Sequence, residues 1–421
     1  MQRAVVFGCG ETAAASRETI HQRFQVIAYS DNNPALWGTE FDGAPVLPPD
    51  QIPGDAGIVV ASGLYYPEIL HGLLNGSAGR NRPYFAVING EIVQYFPGQA
   101  QDKLEFQYLP GEVSLTTLQV GISSRCNSKC RYCKFYSEYS NYQFFRGLMS
   151  DEILEEVCRQ ISSIDTLKML TFVGSGETLI HPKWADYTAR LLKACPTVEE
   201  CVIYTNGMLL TRENAEKLKR LPFPKLRLVL SIDGVSPEDC EYWRKGEQFS
   251  VIRENVHRAY DLLGQNVDFS LSGCVVLPET LNAGDAAEVE RFVKDSGRWR
   301  REEFPFMSFG SLLAQPLVAN IPGTRVVEAS VYPVPCSCQN PFHFSAVWAN
   351  GDILSCPCGY IFEKPETLRI GNIMTDRLPD VFYHSEVLEE LRRELSEGRK
   401  PAICGTCSQL GGSTTRCLQR I

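Results

Sequence analysis

Six short apolar runs between Leu118 and Gly310 constrain this chain most: LQVGISS, KMLTFVG, ECVIYTNG, RLVLSIDG, VDFSLSGCVVL and FPFMSFG. Amphipathic stretches separate them, among them DEILEEVCRQISSI (Asp151–Ile164), RENAEKLKRL (Arg212–Leu221) and SVIRENVHRAYDLL (Ser250–Leu263), whose apolar residues recur at helical spacing. Apolar strands alternating with helices predict βα units. A row of such units predicts a parallel sheet, here open or curved into a partial (β/α)6, TIM-like barrel. In sheets of this kind the working residues sit at the carboxyl ends of strands. The loop after Ser124, Gly174-Ser175-Gly176-Glu177, Thr205-Asn206-Gly207 and Ser231-Ile232-Asp233-Gly234 all fall there.

The flanks of this region read differently. AVVFG (Ala4–Gly8) runs into Gly8-Cys9-Gly10-Glu11-Thr12-Ala13 and a helical stretch, and FQVIAYSD (Phe24–Asp31) ends on an acid 21 positions after Gly10. Strand, glycine turn, helix, strand, acid is the dinucleotide-binding order, so residues 1–105 are expected to form a Rossmann-like α/β domain. A scaffold that binds no nucleotide is the competing expectation. Pro97–Glu112 has the polar, Pro- and Gly-punctuated composition of a linker. The barrel is expected over 112–325, and a third, cysteine-dense module over 332–421.

The formal net charge of -9 and pI near 5.4 argue against nucleic acid as the main partner. The start of the chain reads as neither a signal peptide nor a membrane span, and no later run has the roughly 18 apolar residues a span requires, so a cytoplasmic location is expected. In that reducing compartment sixteen cysteines point to metal or redox chemistry more than to a disulfide frame.

Three of them, Cys126, Cys130 and Cys133, lie in RCNSKCRYCKFY. With a distant fourth cysteine they could close a structural zinc site, whereas three thiolates alone leave a coordination position open. With Tyr132 directly before Cys133, the loop is similar to the C-x3-C-x-aromatic-C signature of the radical S-adenosylmethionine (radical SAM) family. GSGE resembles that family's glycine-rich turn after the second barrel strand, with Ser175 interrupting the paired glycines; TNG and SIDG match its third and fourth strand ends.

The resemblance implies that Cys126, Cys130 and Cys133 hold a [4Fe–4S] cluster whose fourth iron is chelated by SAM, and that reductive cleavage of SAM yields a 5'-deoxyadenosyl radical. It implies cofactor contacts from Tyr132, Gly174, Ser175, Gly176, Glu177, Thr205, Asn206, Ser231 and Asp233, and a flavodoxin- or ferredoxin-type electron donor. The cysteine-dense tail resembles the SPASM/twitch extension of the same family. There the implied ligands of one auxiliary [4Fe–4S] cluster are Cys338, Cys356, Cys404 and Cys407, with Cys358 or Cys417 as substitutes; Ser413 replaces a cysteine of the two-cluster pattern. A zinc ribbon from the same cysteines is the alternative.

The N-terminal unit resembles domains of glycan biosynthesis proteins. The expected reaction is therefore epimerisation or dehydrogenation of a carbohydrate or nucleotide-sugar, with a peptide-modifying enzyme as the alternative. Cys274, in SLSGCVVLP, is a candidate hydrogen donor, against the reading of a buried core cysteine. Glu303 is the candidate general base, and His181 and His343 are as readily structural as catalytic.

Overall fold

A computed structural model describes residues 1–62, 66–76, 79, 81–88, 91–97, 104–107, 113–309, 321–330, 338, 340–356, 368–397, 399, 401–404 and 414–421. The chain forms two compact units. One comprises residues 1–112, 330–339 and 392–415, the other 113–329, 340–391 and 416–421.

In the first unit β1 (Gln2–Phe7) pairs in parallel with β2 (Phe24–Ser30) and with β4 (Gly57–Val60). β2 pairs with β3 (Ala44–Leu47) and β4 with β5 (Tyr84–Ile88), also in parallel. The spatial order β3-β2-β1-β4-β5 is continued by the antiparallel strands Glu91–Pro97 and Leu104–Gln107. Buried on both faces, β1 and β4 read as continuous apolar runs, and Val5, Val6, Ile58 and Val59 are fully enclosed. The single helix expected after the glycine turn is broken at Ser16 into Glu11–Ala15 and Arg17–Arg23. Gly8 has φ 108°, and its N–H donates to the Ser30 carbonyl at 2.7 Å. A side chain there would lie 2.7 Å from the Ala61 carbonyl oxygen, so the turn is packed shut. Asp31 is also occupied: its carboxylate accepts the backbone N–H groups of Cys9 and Asn33, each at 2.9 Å.

In the second unit β6 (Thr117–Val120), β7 (Met169–Phe172), β8 (Glu200–Thr205), β9 (Leu226–Ser231), β10 (Val267–Ser272) and β11 (Ser308–Phe309) lie side by side in chain order, all parallel. Side-chain caps start the helices between them. Ser150 Oγ accepts from the Ile153 N–H and Thr211 Oγ1 from the Asn214 N–H, an N-cap contribution of about 1 kcal/mol each. The helices bury Leu154, Val157, Leu218, Ile252 and Val256 against Leu118, Leu170, Ile203, Leu228 and Leu271 of the strands. Each such side chain contributes roughly 1.5–3 kcal/mol on leaving water.

The sheet does not stop at β6. β12 (Phe344–Val347), from the segment whose composition suggests a separate module, pairs in parallel with β6 as a seventh strand. β13 (Asp352–Leu354) and β14 (Arg369–Asn372) extend it in antiparallel fashion. Hydrogen bonds from Ser114 and Thr116 N–H to the Phe342 and His343 carbonyls, each 3.0 Å, fix this register. No helix among the described residues is long and apolar enough to cross a membrane.

Candidate active site

The carboxyl ends of β6 to β10 open into one cavity of about 340 Å3. Cys126, Cys130, Cys133 and Tyr132 line it from the loop after β6, Gly174, Ser175 and Gly176 from the turn after β7, and Ser231, Asp233 and Cys274 from the ends of β9 and β10. A larger depression lies elsewhere, on the outer helices around Arg253, His257 and Glu303, and touches none of these strand ends.

The cysteine loop is fastened on two sides. Against the β7 turn, the Glu177 N–H donates to the Arg125 carbonyl at 2.8 Å. Gly176 lies so close beneath it that a Cβ would sit 2.3 Å from the Arg125 oxygen. Glycine is therefore required there for packing. Gly174 has the same role against Gly121, whose Cα would be 3.1 Å away from a Cβ. At Ser175, where a second glycine was expected, the side chain has room and donates to Ser124 Oγ at 2.8 Å. On the other side, the N–H groups of Lys129 and Arg131 donate to the carbonyls of Lys245 (2.7 Å) and Trp243 (2.8 Å), which sets Cys130 opposite Arg244.

Arg244 escaped the sequence reading, although it lies in WRKGE, shortly after SIDG. It is buried, donates from Nε to Glu247 at 2.7 Å, and from Nη1 to Asp233 at 2.9 Å and to the Tyr132 hydroxyl at 3.1 Å. Burial opposes its charge, but Cys130, Glu247, Tyr132 and Asp233 together hold its proton more tightly than usual. Tyr132 in turn donates to Asp233, and the Asp233 carboxylate also accepts the Cys274 N–H at 2.5 Å. The hydroxyl of Tyr132 and the carboxylate of Asp233 are thus committed to each other. Behind SIDG, the fully buried Arg300 donates to the carbonyls of Ile232 (3.1 Å) and Gly234 (2.6 Å). The helical repeat Val289, Val293, Ser296, Arg300 marks Arg300 as inward-facing, unlike Arg298 and Arg301.

Glu177, Thr205 and Asn206 stand in the layer behind the cavity wall. The buried Glu177 carboxylate accepts from Thr205 Oγ1 and the Asn206 N–H, each at 2.8 Å, and from the Leu179 N–H at 3.1 Å. Burial raises its pKa, and these hydrogen bonds oppose the rise. Asn206 Nδ2 reaches the cysteine loop, donating to Asn127 Oδ1 at 2.7 Å and Ser128 Oγ at 2.9 Å. Ser231 and Ser272 face the cavity.

One expectation changes. Glu303 lies at the carboxyl end of the helix Ala286–Glu303, bound to Arg253 Nε at 2.6 Å in the outer depression, so it cannot act as a base in the cavity. His181 is buried against the Met149 carbonyl (3.1 Å), and His343 stands near the Ser114 carbonyl (3.2 Å) before β12, at the opposite ends of the strands. Cys274 is buried and lines the cavity, so the two readings of it coincide.

Residues 120–289 match the radical SAM superfamily, and residues 336–408 match SPASM, an iron–sulfur cluster-binding domain. The chain carries a radical SAM domain over residues 120–289. Its SPASM domain follows the barrel, and its cofactors are SAM and iron–sulfur clusters. Among curated relatives, GTP 3',8-cyclase of Syntrophomonas wolfei is 25% identical over 154 residues, 36% of this chain and 44% of that protein. The tungsten-containing aldehyde ferredoxin oxidoreductase cofactor-modifying protein of Pyrococcus furiosus is 31% identical over 104 residues, 25% of this chain and 27% of that one. These matches span about half or less of the relatives' own lengths. Among solved structures, anSMEcpe with bound AdoMet aligns over 72% of this chain and 86% of its own at 19% identity, with a TM-score of 0.46. BtrN in complex with AdoMet and 2-DOIA aligns over 68% and 89% at 18% identity, with a TM-score of 0.44.

The residues around the cavity suit a cluster. Three thiols line one space, none is in a disulfide, and burial pushes Cys126 up to about 12 and Cys130 well above the usual thiol value. Such thiols stay protonated until a metal displaces the proton. Among the described residues no three His, Cys, Asp or Glu side chains converge as they would around one ion; ligands to separate irons need not converge. Of the implied auxiliary ligands, Cys338, Cys356 and Cys404 are partly buried and in no disulfide. Cys407 and Cys358 lie outside the described residues, as does the side chain of Cys417.

Proposed function

We propose that the chain cleaves SAM reductively at Cys126, Cys130 and Cys133 and uses the resulting radical on a carbohydrate or nucleotide-sugar, with epimerisation as the outcome. The observation that carries this reading is the cavity itself, where three thiols, the glycine-tight turn after β7 and a fourth, separate thiol at Cys274 face one space. When bound, the cluster and SAM supply a 5'-deoxyadenosyl radical that takes one hydrogen atom from a substrate carbon. The chain supplies position. Gly174, Ser175 and Gly176 present a backbone edge to SAM, and Ser231 and Ser272 offer hydroxyls to a polyhydroxylated ligand. Tyr132, Asp233 and Arg244 brace the cysteine loop against the end of β9. Glu177, Thr205 and Asn206 hold the three strand ends in register.

Cys274 then gives the thiol hydrogen atom to the opposite face of the substrate carbon. One electron and one proton would restore the thiol; Cys338, Cys356, Cys404 and Cys407 would hold an auxiliary iron–sulfur cluster able to supply that electron.

Reconstituted enzyme supplied with nucleotide-sugars in deuterated buffer should place one deuterium at a sugar carbon without oxidising it. Cys274→Ala should still make 5'-deoxyadenosine but lose the deuterated epimer. A ketone product would replace epimerisation with dehydrogenation, and turnover of a peptide but of no sugar would reverse the substrate assignment.

A further inference from the structure

Cys274 lies just past the end of β10, on a stretch of chain that two different elements hold in turn. As far as Cys274 the support comes from the end of β9. The Ile232 N–H donates to the Ser272 carbonyl at 2.9 Å, and the Gly234 N–H to the Cys274 carbonyl at 3.1 Å. A Cβ on Gly273 would lie 2.0 Å from the Ile232 oxygen, so the two chains are pressed together there. Beyond Cys274 this support ends, because the chain after SIDG turns into the helix Pro237–Trp243.

A distant strand takes over. Thr414–Arg420 pairs with Thr324–Ser330 and passes beside Leu277. The Leu277 N–H donates to the Leu418 carbonyl at 3.0 Å, and the Arg420 N–H to the Leu277 carbonyl at 2.8 Å. Between these two bonds the Gln419 side chain is buried, and its Nε2 donates to the carbonyls of Pro278 at 2.8 Å and Leu281 at 2.7 Å. Arg325 donates to Gln419 Oε1 at 3.2 Å, which fixes the orientation of the amide. Leu418 packs in one cluster with Val276 and Trp243. Arg420 pairs with Asp239, whose carboxylate accepts the Val235 N–H at 3.0 Å directly after SIDG. The strand thus grips the chain on both sides of the Cys274 segment's junction with SIDG.

Backbone carbonyls that leave a regular ladder need other donors, and a buried one left without any is costly. Here one side-chain amide supplies two of them, four and seven positions past Cys274. We propose that Thr414–Arg420 is a strap that sets the place of the Cys274 thiol in the cavity, with Gln419 as its positioning residue. The inference rests on the reading of Cys274 as the hydrogen donor, which requires one thiol held at one face of a substrate carbon. Misplacement by about 1 Å is enough to cost a reaction step on the order of a hundredfold. A segment that opens therefore loses the transfer from the thiol before it loses SAM cleavage at the other wall.

The test reads the thiol itself. In the full, reconstituted chain, alkylation by N-ethylmaleimide is followed at individual cysteines by peptide mass spectrometry. Cys274 should react roughly tenfold or more faster in Gln419→Ala than in wild type, because a segment that has lost two hydrogen bonds opens more often. Cys201, fully buried near the amino end of β8, should stay equally protected in both. If the alanine variant misfolds, Gln419→Met keeps the volume, removes the donor and gives the same reading. In turnover with nucleotide-sugars in deuterated buffer, the variant should form roughly tenfold more 5'-deoxyadenosine per deuterated epimer. Unchanged alkylation of Cys274, or an equal gain at Cys201, would overturn the proposal. So would fast alkylation of Cys274 with an unchanged ratio of 5'-deoxyadenosine to epimer. Faster alkylation in the variant, from a wild type that epimerises no sugar, would end the epimerase reading and leave the strap standing.

Discussion

Two glycine turns at strand ends, one in each unit, look alike in sequence and differ in what folding leaves open. After β1, Gly8-Cys9-Gly10 leads into a helix, and an acid closes the next strand; after β7, Gly174-Ser175-Gly176 leads into Glu177. In both places the acid is spent on backbone: Asp31 on Cys9 and Asn33, Glu177 on Leu179 and Asn206. The difference lies in the glycine. Gly8 is jammed against Ala61 of its own sheet, whereas Gly176 is jammed against the separate cysteine loop, and the space beyond remains a cavity. A crowded glycine marks close approach, and what it approaches decides whether a site results.

The largest effect expected from breaking this contrast is at the thiols. Alanine at Cys126, Cys130 or Cys133 should remove about four irons per chain, as one cluster requires, and abolish 5'-deoxyadenosine formation; alanine at Cys9 should do neither. Gly176→Ala should come next. Overpacking costs about 1–3 kcal/mol, and because it pushes the turn off Arg125, SAM binding measured by the change in the cluster's magnetic spectrum should weaken at least about tenfold. Gly8→Ala should lower the unfolding midpoint of the first unit by a similar energy and leave SAM binding intact. Equal loss of SAM binding in both variants would show that the two turns are not independent.

The smallest effect concerns Asp42, the non-glycine residue with φ 52° in the first unit. Burial would raise its carboxyl, but His21 at 2.9 Å, Arg17 at 2.7 Å and Tyr29 at 3.2 Å pull it below the ordinary value of 3.8. A depressed carboxylate contributes stability that is present above its unfolded pKa and lost as pH falls through the folded one. Unfolding midpoints between about pH 7 and pH 3 should therefore fall more steeply for wild type than for Asp42→Asn. Parallel slopes would show that the Asp42 contacts carry no net stability.

Most of the second unit's architecture is legible in its sequence, because each βα unit is a local pattern and the motifs sit where local patterns end. The seventh strand is not. HFSAVWANGD reads as part of a cysteine-rich tail, and its pairing with Thr117–Val120 depends on contacts more than 200 positions apart in the chain. The cysteine loop, the β7 turn and SIDG are visible as motifs, but their division of labour is not. Nothing local says that Tyr132 and Asp233 bind each other, or that Arg244 completes them, since that network joins residues about a hundred positions apart. Glu303 misled for the same reason: a carboxylate near a strand in sequence lies on the outside of the sheet once its helix is placed.

The central claim is that three thiols around one cavity make a SAM-cleaving centre. Its most direct measurement is 5'-deoxyadenosine formed from SAM and dithionite by anaerobically reconstituted chain, read beside Cys130→Ala. The expected result is 5'-deoxyadenosine from the wild type and none from the variant. A wild type that holds its full iron and forms none, or a variant that forms as much, would contradict it.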